Sequence, residues 1–253
     1  MMQALFLLGL GLFCVVCVWC AVHALQFLTV DRAIAARIGR LRLSVLCFGL
    51  GVGAAMADGV LLPMHLSDFG LVVLVVWATI TAMMDRATTW VPDISAVMLL
   101  FGALIHDPAL SALGWLPVWQ AVCAGASPAC VAGAAMVWAV ILWLIALLAF
   151  KAQLALRWLV LTAADIVAVA LPLIAFGTSL GSTIGYFLAA LVVVLAGRFA
   201  PLHRWLAEAR ALREGLDDLG QTDIAPSRAL PAFVIFAPIT AAMAVALSVS
   251  GAI

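Results

Sequence analysis

Asp85 and Asp165 are the residues of this chain best placed to do chemistry. Asp85 lies in Met84–Asp93, Met-Asp-Arg-Ala-Thr-Thr-Trp-Val-Pro-Asp, between the apolar runs Leu71–Met83 and Ile94–Ile105. Asp165 lies inside a later apolar run, in Leu-Thr-Ala-Ala-Asp-Ile-Val-Ala. An ionisable side chain in hydrocarbon costs about 3 kcal/mol or more, so such a residue is a functional candidate by default. Two carboxylates close together cannot both ionise; one keeps its proton and the other can activate water. That arrangement suits general acid–base hydrolysis of a peptide bond with no covalent intermediate. The chain has no Gly-x-Ser-x-Gly, no His-Glu-x-x-His and no phosphate-binding glycine loop to suggest other chemistry. The plainer alternative makes Asp85 a solvated loop acid and pairs Asp165 with a polar neighbour. Asp58 and His23 complete the set of candidates, Asp58 as an interfacial carboxylate and His23 as a local hydrogen-bonding group.

The elements that must position these acids are membrane helices. Of 253 residues, 68% are hydrophobic and only 9% charged, against about 25% charged in soluble proteins. Apolar runs of roughly 18 residues or more predict an all-α, polytopic membrane protein. Eight spans are expected, at about 3–29, 43–63, 68–85, 94–110, 129–150, 158–177, 183–198 and 230–250. The first run has no Lys or Arg before Arg32 and reads as a retained span, not a cleaved signal peptide. The surroundings implied are membrane lipid; no basic cluster suggests a nucleic-acid partner. Cys14, Cys17, Cys20 and Cys47 read as small apolar side chains, since the second ligand pair of a zinc site is missing. Cys123 and Cys130 flank an outer loop, and the spacing leaves a disulfide between them open.

The basic residues then orient the spans. All twelve Lys and Arg fall in alternate loops, after the first, third, fifth and seventh spans. The segments Pro63–Ser67, Asp107–Pro128 and Gly177–Thr183 contain none. The positive-inside rule makes the basic side cytoplasmic and puts both termini on the other side. Asp85 closes the third span on the cytoplasmic side, and Asp165 lies roughly 12 Å into the sixth from the same side. Residues 201–227 form the largest cytoplasmic segment, with apolar residues at helical spacing among Arg and Glu. They predict an amphipathic helix on the membrane surface, or a helix for a partner. No soluble domain is expected: residues 1–67 supply two helices, and 68–253 a six-helix core.

The residues around both acids resemble those of the type IV prepilin peptidases, membrane aspartyl proteases of the Gly-x-Gly-Asp class. Asp85, five residues, then Val91-Pro92-Asp93 is similar to the family's Asp-x5-Ile-Pro-Asn. Thr162-Ala163-Ala164-Asp165 stands where Gly-x-Gly-Asp would fall, and Phe236-Ala237-Pro238 resembles an element near the family's C-terminus. The likeness covers about residues 68–250. It implies Asp85 and Asp165 as the catalytic pair, with Val91, Pro92, Asp93, Thr162 and Ala164 shaping the site. It also implies cleavage of the leader of prepilin or pseudopilin substrates at the cytoplasmic face of a bacterial inner membrane, with neither metal nor organic cofactor. Pro92 would fix the turn after the first acid, because it cannot continue a helix and biases Val91 to extended geometry. Three departures are visible. Thr162 and Ala164 replace glycines, Asp93 stands where Asn is usual, and Ile166, Val167 and Ala168 offer no Lys after the second acid. The interval Val30–Arg42 has no room for the zinc-binding methyltransferase domain of bifunctional members, so N-methylation is not expected. Two alternatives remain beside the peptidase: an inactive membrane subunit of a pilus or secretion assembly, and a small transporter using Asp58 and Asp165 as an ion relay.

Overall fold

A computed structural model describes residues 2–27, 38–56, 65–88, 91–107, 111, 113–156, 162–176, 184, 188 and 232–250. Asp58, the expected amphipathic segment 201–227 and all but Ile184 and Leu188 of the span expected at 183–198 lie outside the described residues. The described residues form eight helices and no strand, as expected of an all-α chain. They are α1 (Met2–Phe27), α2 (Arg40–Ala55), α3 (Leu66–Thr88), α4 (Asp93–His106), α5 (Pro117–Cys123), α6 (Pro128–Leu156), α7 (Ala163–Phe176) and α8 (Ala232–Val249).

The apolar runs of the sequence become helices because little water is needed to satisfy their backbone, each N–H beyond the first turn bonding within its own element. Three are long and apolar enough to cross a membrane, over Met2–Ala24, Leu66–Arg86 and Pro128–Gln153. The others are shorter than the eight-span expectation drew them. α4 and α7 have 14 residues each, about 21 Å at 1.5 Å per residue against a hydrocarbon core of about 30 Å. α4 stops at His106, followed by the extended Asp107. α7 starts at Ala163 because Thr162 caps it, five residues later than expected.

α3 is the central helix. It packs against α2, α4 and α8, with a smaller contact to α1. Two-thirds of its apolar stretch is buried (67%), against 33% for α1 and 28% for α6. The outer helices turn Leu5, Leu8, Leu12 and Val16, and Val137, Leu144, Ile145 and Leu148, outward. In water that surface would be a large unpartnered patch; against acyl chains it is solvated.

The helices α3, α4, α7 and α8 close a ring, each packing on the next and α8 returning to α3. α3 and α4 form its tightest pair, an antiparallel hairpin. Gly70 on α3 lies against the backbone of His106, and Gly102 on α4 against the backbone of Leu74. A side chain at either position would meet main-chain atoms, so only glycine lets the two axes approach this closely.

The segment expected as a plain outer loop, Asp107–Pro128, instead contains α5. Pro117 sits in its first turn, where a missing N–H costs nothing. Trp119 is fully buried and anchors it to the bundle. Gly125, with φ of 74°, makes the left-handed turn towards α6. Ser127 then caps α6 by accepting the N–H of Cys130 at 3.3 Å. Cys123 and Cys130 are both free thiols, Cys130 being exposed in the first turn of α6.

Candidate functional site

Asp85 occupies the last turn of α3 and is 4% exposed. Its Oδ2 accepts the backbone N–H of Phe233 at 3.1 Å and of Val234 at 3.3 Å. The first N–H groups of a helix have no partner within it and carry the positive end of its dipole. A carboxylate from another helix therefore caps α8, and the bond ties the end of α3 to the start of α8. The Phe236-Ala237-Pro238 element follows within the same turns of α8. Pro238 lies inside the helix and cannot donate to the carbonyl four residues back, that of Val234. This leaves an acceptor in the turn that Asp85 caps.

Val91 and Pro92 build the link from Asp85 to α4. Pro92 is buried and is the N-cap of α4, extended at φ −60° and ψ 142°. Its carbonyl accepts the N–H of Ser95 at 2.8 Å. The proline stop expected from the sequence is where the chain turns. Asp93 is exposed in the first turn of α4, where a negative charge complements the helix dipole.

Asp165 lies in the first turn of α7 and is partly buried. It forms a reciprocal box with Thr162. The Thr162 hydroxyl accepts the Asp165 N–H at 3.1 Å and donates to Asp165 Oδ2 at 2.7 Å, while the Thr162 N–H donates to the same Oδ2 at 3.1 Å. This is the capping box of Ser/Thr-x-x-acid sequences, with Asp in the place of Glu. A glycine at position 162 could not form it, so the departure from Gly-x-Gly-Asp has a local structural use. Ala164 is partly buried between the two capping residues in sequence. Removing the hydroxyl while keeping the shape, Thr162→Val, is expected to cost about 1 kcal/mol. Thermal unfolding in detergent should then show a fall of about 3 °C, and Thr162→Ser should show none.

Asp85 and Asp165 are not hydrogen-bonded to each other; among the described residues, every hydrogen bond of the Asp165 side chain is with Thr162. Their helices, α3 and α7, are opposite members of the ring, both packed on α4 and α8. No family model, no curated protein and no solved structure matches the chain. What the site can do is therefore argued from its own geometry. The described residues hold no group of three or more His, Cys, Asp or Glu able to bind a metal ion. His23 is exposed on α1.

Two residues near Asp85 had no signal strong enough to single them out in the sequence. Thr81, fully buried, lies one turn before Asp85 on the same face of α3. Ser95, also fully buried, follows the Val-Pro-Asp turn by two residues.

Proposed function

We propose that the chain is a membrane aspartyl endopeptidase that removes the leader of prepilin-like proteins at the cytoplasmic membrane face. The observation that carries this is the setting of Asp85. A buried carboxylate is fixed by two backbone N–H groups inside a ring whose four helices bear every segment that resembles the prepilin peptidases. α3 brings Asp85, α4 begins at Asp93, α7 brings Asp165 and α8 brings Phe236-Ala237-Pro238. α6, 29 residues and about 43 Å long, is able to return the chain across the membrane, so that α7 would begin on the side where α3 ends.

In this proposal the eight-span topology holds, with a six-helix core, both termini non-cytoplasmic and the protein multi-pass in a bacterial inner membrane. A prepilin or pseudopilin presents its scissile bond between Asp85 and Asp165. One carboxylate takes a proton from water as its oxygen attacks the carbonyl carbon. The other, protonated, donates to the carbonyl oxygen; as the C–N bond then breaks, the proton taken from water passes to the departing amine and a hydroxyl proton of the collapsing diol returns to the pair. The two exchange roles each turnover and titrate as a unit. Oδ1 of Asp165, outside the capping box, is the oxygen available for this work.

The capping box itself favours a second reading, an inactive relative that serves as a membrane subunit of a pilus or secretion assembly. There Asp165 would only start a helix. Co-expression with a prepilin-like substrate, followed by gel analysis of leader removal, separates the two. The parent chain is expected to cleave and Asp165→Asn to leave the substrate intact, although Asn still accepts from Thr162. Cleavage retained by Asp165→Asn would sink the dyad; no cleavage by the parent supports the inactive subunit.

A further inference from the structure

Four buried hydroxyl side chains lie within the described helices, and three of them are satisfied in the same way. Ser44 donates to the carbonyl of Arg40 at 2.8 Å, Thr81 to that of Trp77 at 2.6 Å and Thr240 to that of Phe236 at 2.9 Å. The fourth, Ser95, is fully buried and its Oγ has no hydrogen-bond partner among the described residues. Buried polar groups are nearly always paired, so an orphaned hydroxyl beside a candidate site points to a partner from outside the chain.

The register of the α3–α4 hairpin says what Ser95 faces. Gly102 sits on Leu74 and Gly70 on His106, which fixes the antiparallel alignment at two points four residues apart. Seven residues are close to two helical turns and return to the same face. Stepping seven residues from Gly102 reaches Ser95, and seven from Leu74 reaches Thr81. The two buried hydroxyls thus oppose each other across the seam. Asp85 lies one turn, about 6 Å, further along α3 on the same face. α3 ends at Thr88 and α4 begins at Asp93, so this is the end of the hairpin where the two helices are nearest in sequence.

The geometry points to Ser95 as a positioning residue that holds Asp85 through one buried water. The Ser95 hydroxyl donates to the water oxygen. One water proton goes to the Asp85 carboxylate and the other to Thr81 Oγ1, whose own proton is committed to Trp77. That gives the water three polar partners, within the two to four that buried waters make. Oδ2 of Asp85 is already bound by α8, so a second tether from α4 would fix the plane of the carboxylate. The catalytic consequence rests on the aspartyl peptidase reading; the structural link between Ser95 and Asp85 does not.

A double-mutant cycle on the full chain purified in detergent tests the link by thermal unfolding. Ser95→Ala is expected to lower the Tm by about 3 °C in the otherwise native chain. In the Asp85→Asn chain, where the charge it serves is gone, the same change is expected to shift the Tm by less than about 1 °C. Thr81→Val probes the same water from the other side and is expected to couple to Asp85→Asn with the same sign. A rise in Tm on Ser95→Ala, as an unpaired hydroxyl would give, overturns the proposal; so does an equal fall in both backgrounds. In the leader-cleavage assay Ser95→Ala is expected to lower kcat severalfold with KM unchanged. Absence of cleavage by the native chain would refute the peptidase reading while the melting cycle still decides the link.

Discussion

Asp85→Asn is expected to leave the chain folded and to abolish leader cleavage, whereas Asp85→Leu is expected to destabilise the fold as well. The amide oxygen of Asn can still accept from the Phe233 and Val234 N–H groups that Asp85 Oδ2 binds at 3.1 and 3.3 Å. What it loses is negative charge at the N-terminus of α8, about 1 kcal/mol in a partly buried setting. Leucine keeps the branch at Cγ and removes the acceptor, leaving two buried N–H groups at about 1–3 kcal/mol each. The Tm of Asp85→Leu should therefore fall well below that of Asp85→Asn, by about 5 °C or more. Cleavage should be absent in both, because neither can take up or deliver the proton of the attacking water. Cleavage by Asp85→Asn would remove Asp85 from the chemistry. Equal melting of the two variants would remove it from the cap of α8.

The sequence made local features readable and hid the distant ones. Apolar runs became helices wherever they were long enough, and Pro92 ended the polar stretch after Asp85 as its locked φ requires. The partners of Asp85 were invisible, because Phe233 and Val234 are 148 and 149 residues away in the chain and carry no polar side chain. They are recognised through backbone N–H groups, which every residue but proline possesses. Thr162-Ala-Ala-Asp165 was readable in two ways. Its spacing fits both a capping box and a degenerate Gly-x-Gly-Asp. The two are compatible only because an aspartate has a second oxygen. α5 escaped because seven residues span barely two turns, too few to show a helical period. Ser95 escaped for a different reason. A lone serine in a membrane helix usually bonds back to its own carbonyl ladder, and only the hairpin register shows that this one is set apart.

That register rests on two glycines, and replacing either is expected to disturb the site from a distance. A Cβ at position 102 would lie 2.7 Å from the backbone nitrogen of Leu74 and 3.0 Å from its Cα. At position 70 it would run into the backbone of His106. Main chain of two packed helices cannot swing aside as a side-chain tip can. The hairpin must open or slide, and overpacking of this kind costs about 1–3 kcal/mol. Gly102→Ala and Gly70→Ala should each lower the Tm by about 4 °C or more. Gly49 and Gly53 on α2 provide the contrast, since a Cβ at either meets nothing within 4 Å. Alanine there should hold or raise the Tm, as a better helix former than glycine. If the four variants melt alike, the close approach of α3 and α4 is not what holds the ring together. If Gly102→Ala melts low but cleaves normally, Asp85 does not depend on its alignment with α4. The expected result is that stability and cleavage fall together at positions 70 and 102 and at neither control, because the contact that aligns the hairpin also sets Ser95 opposite Thr81, one turn from Asp85.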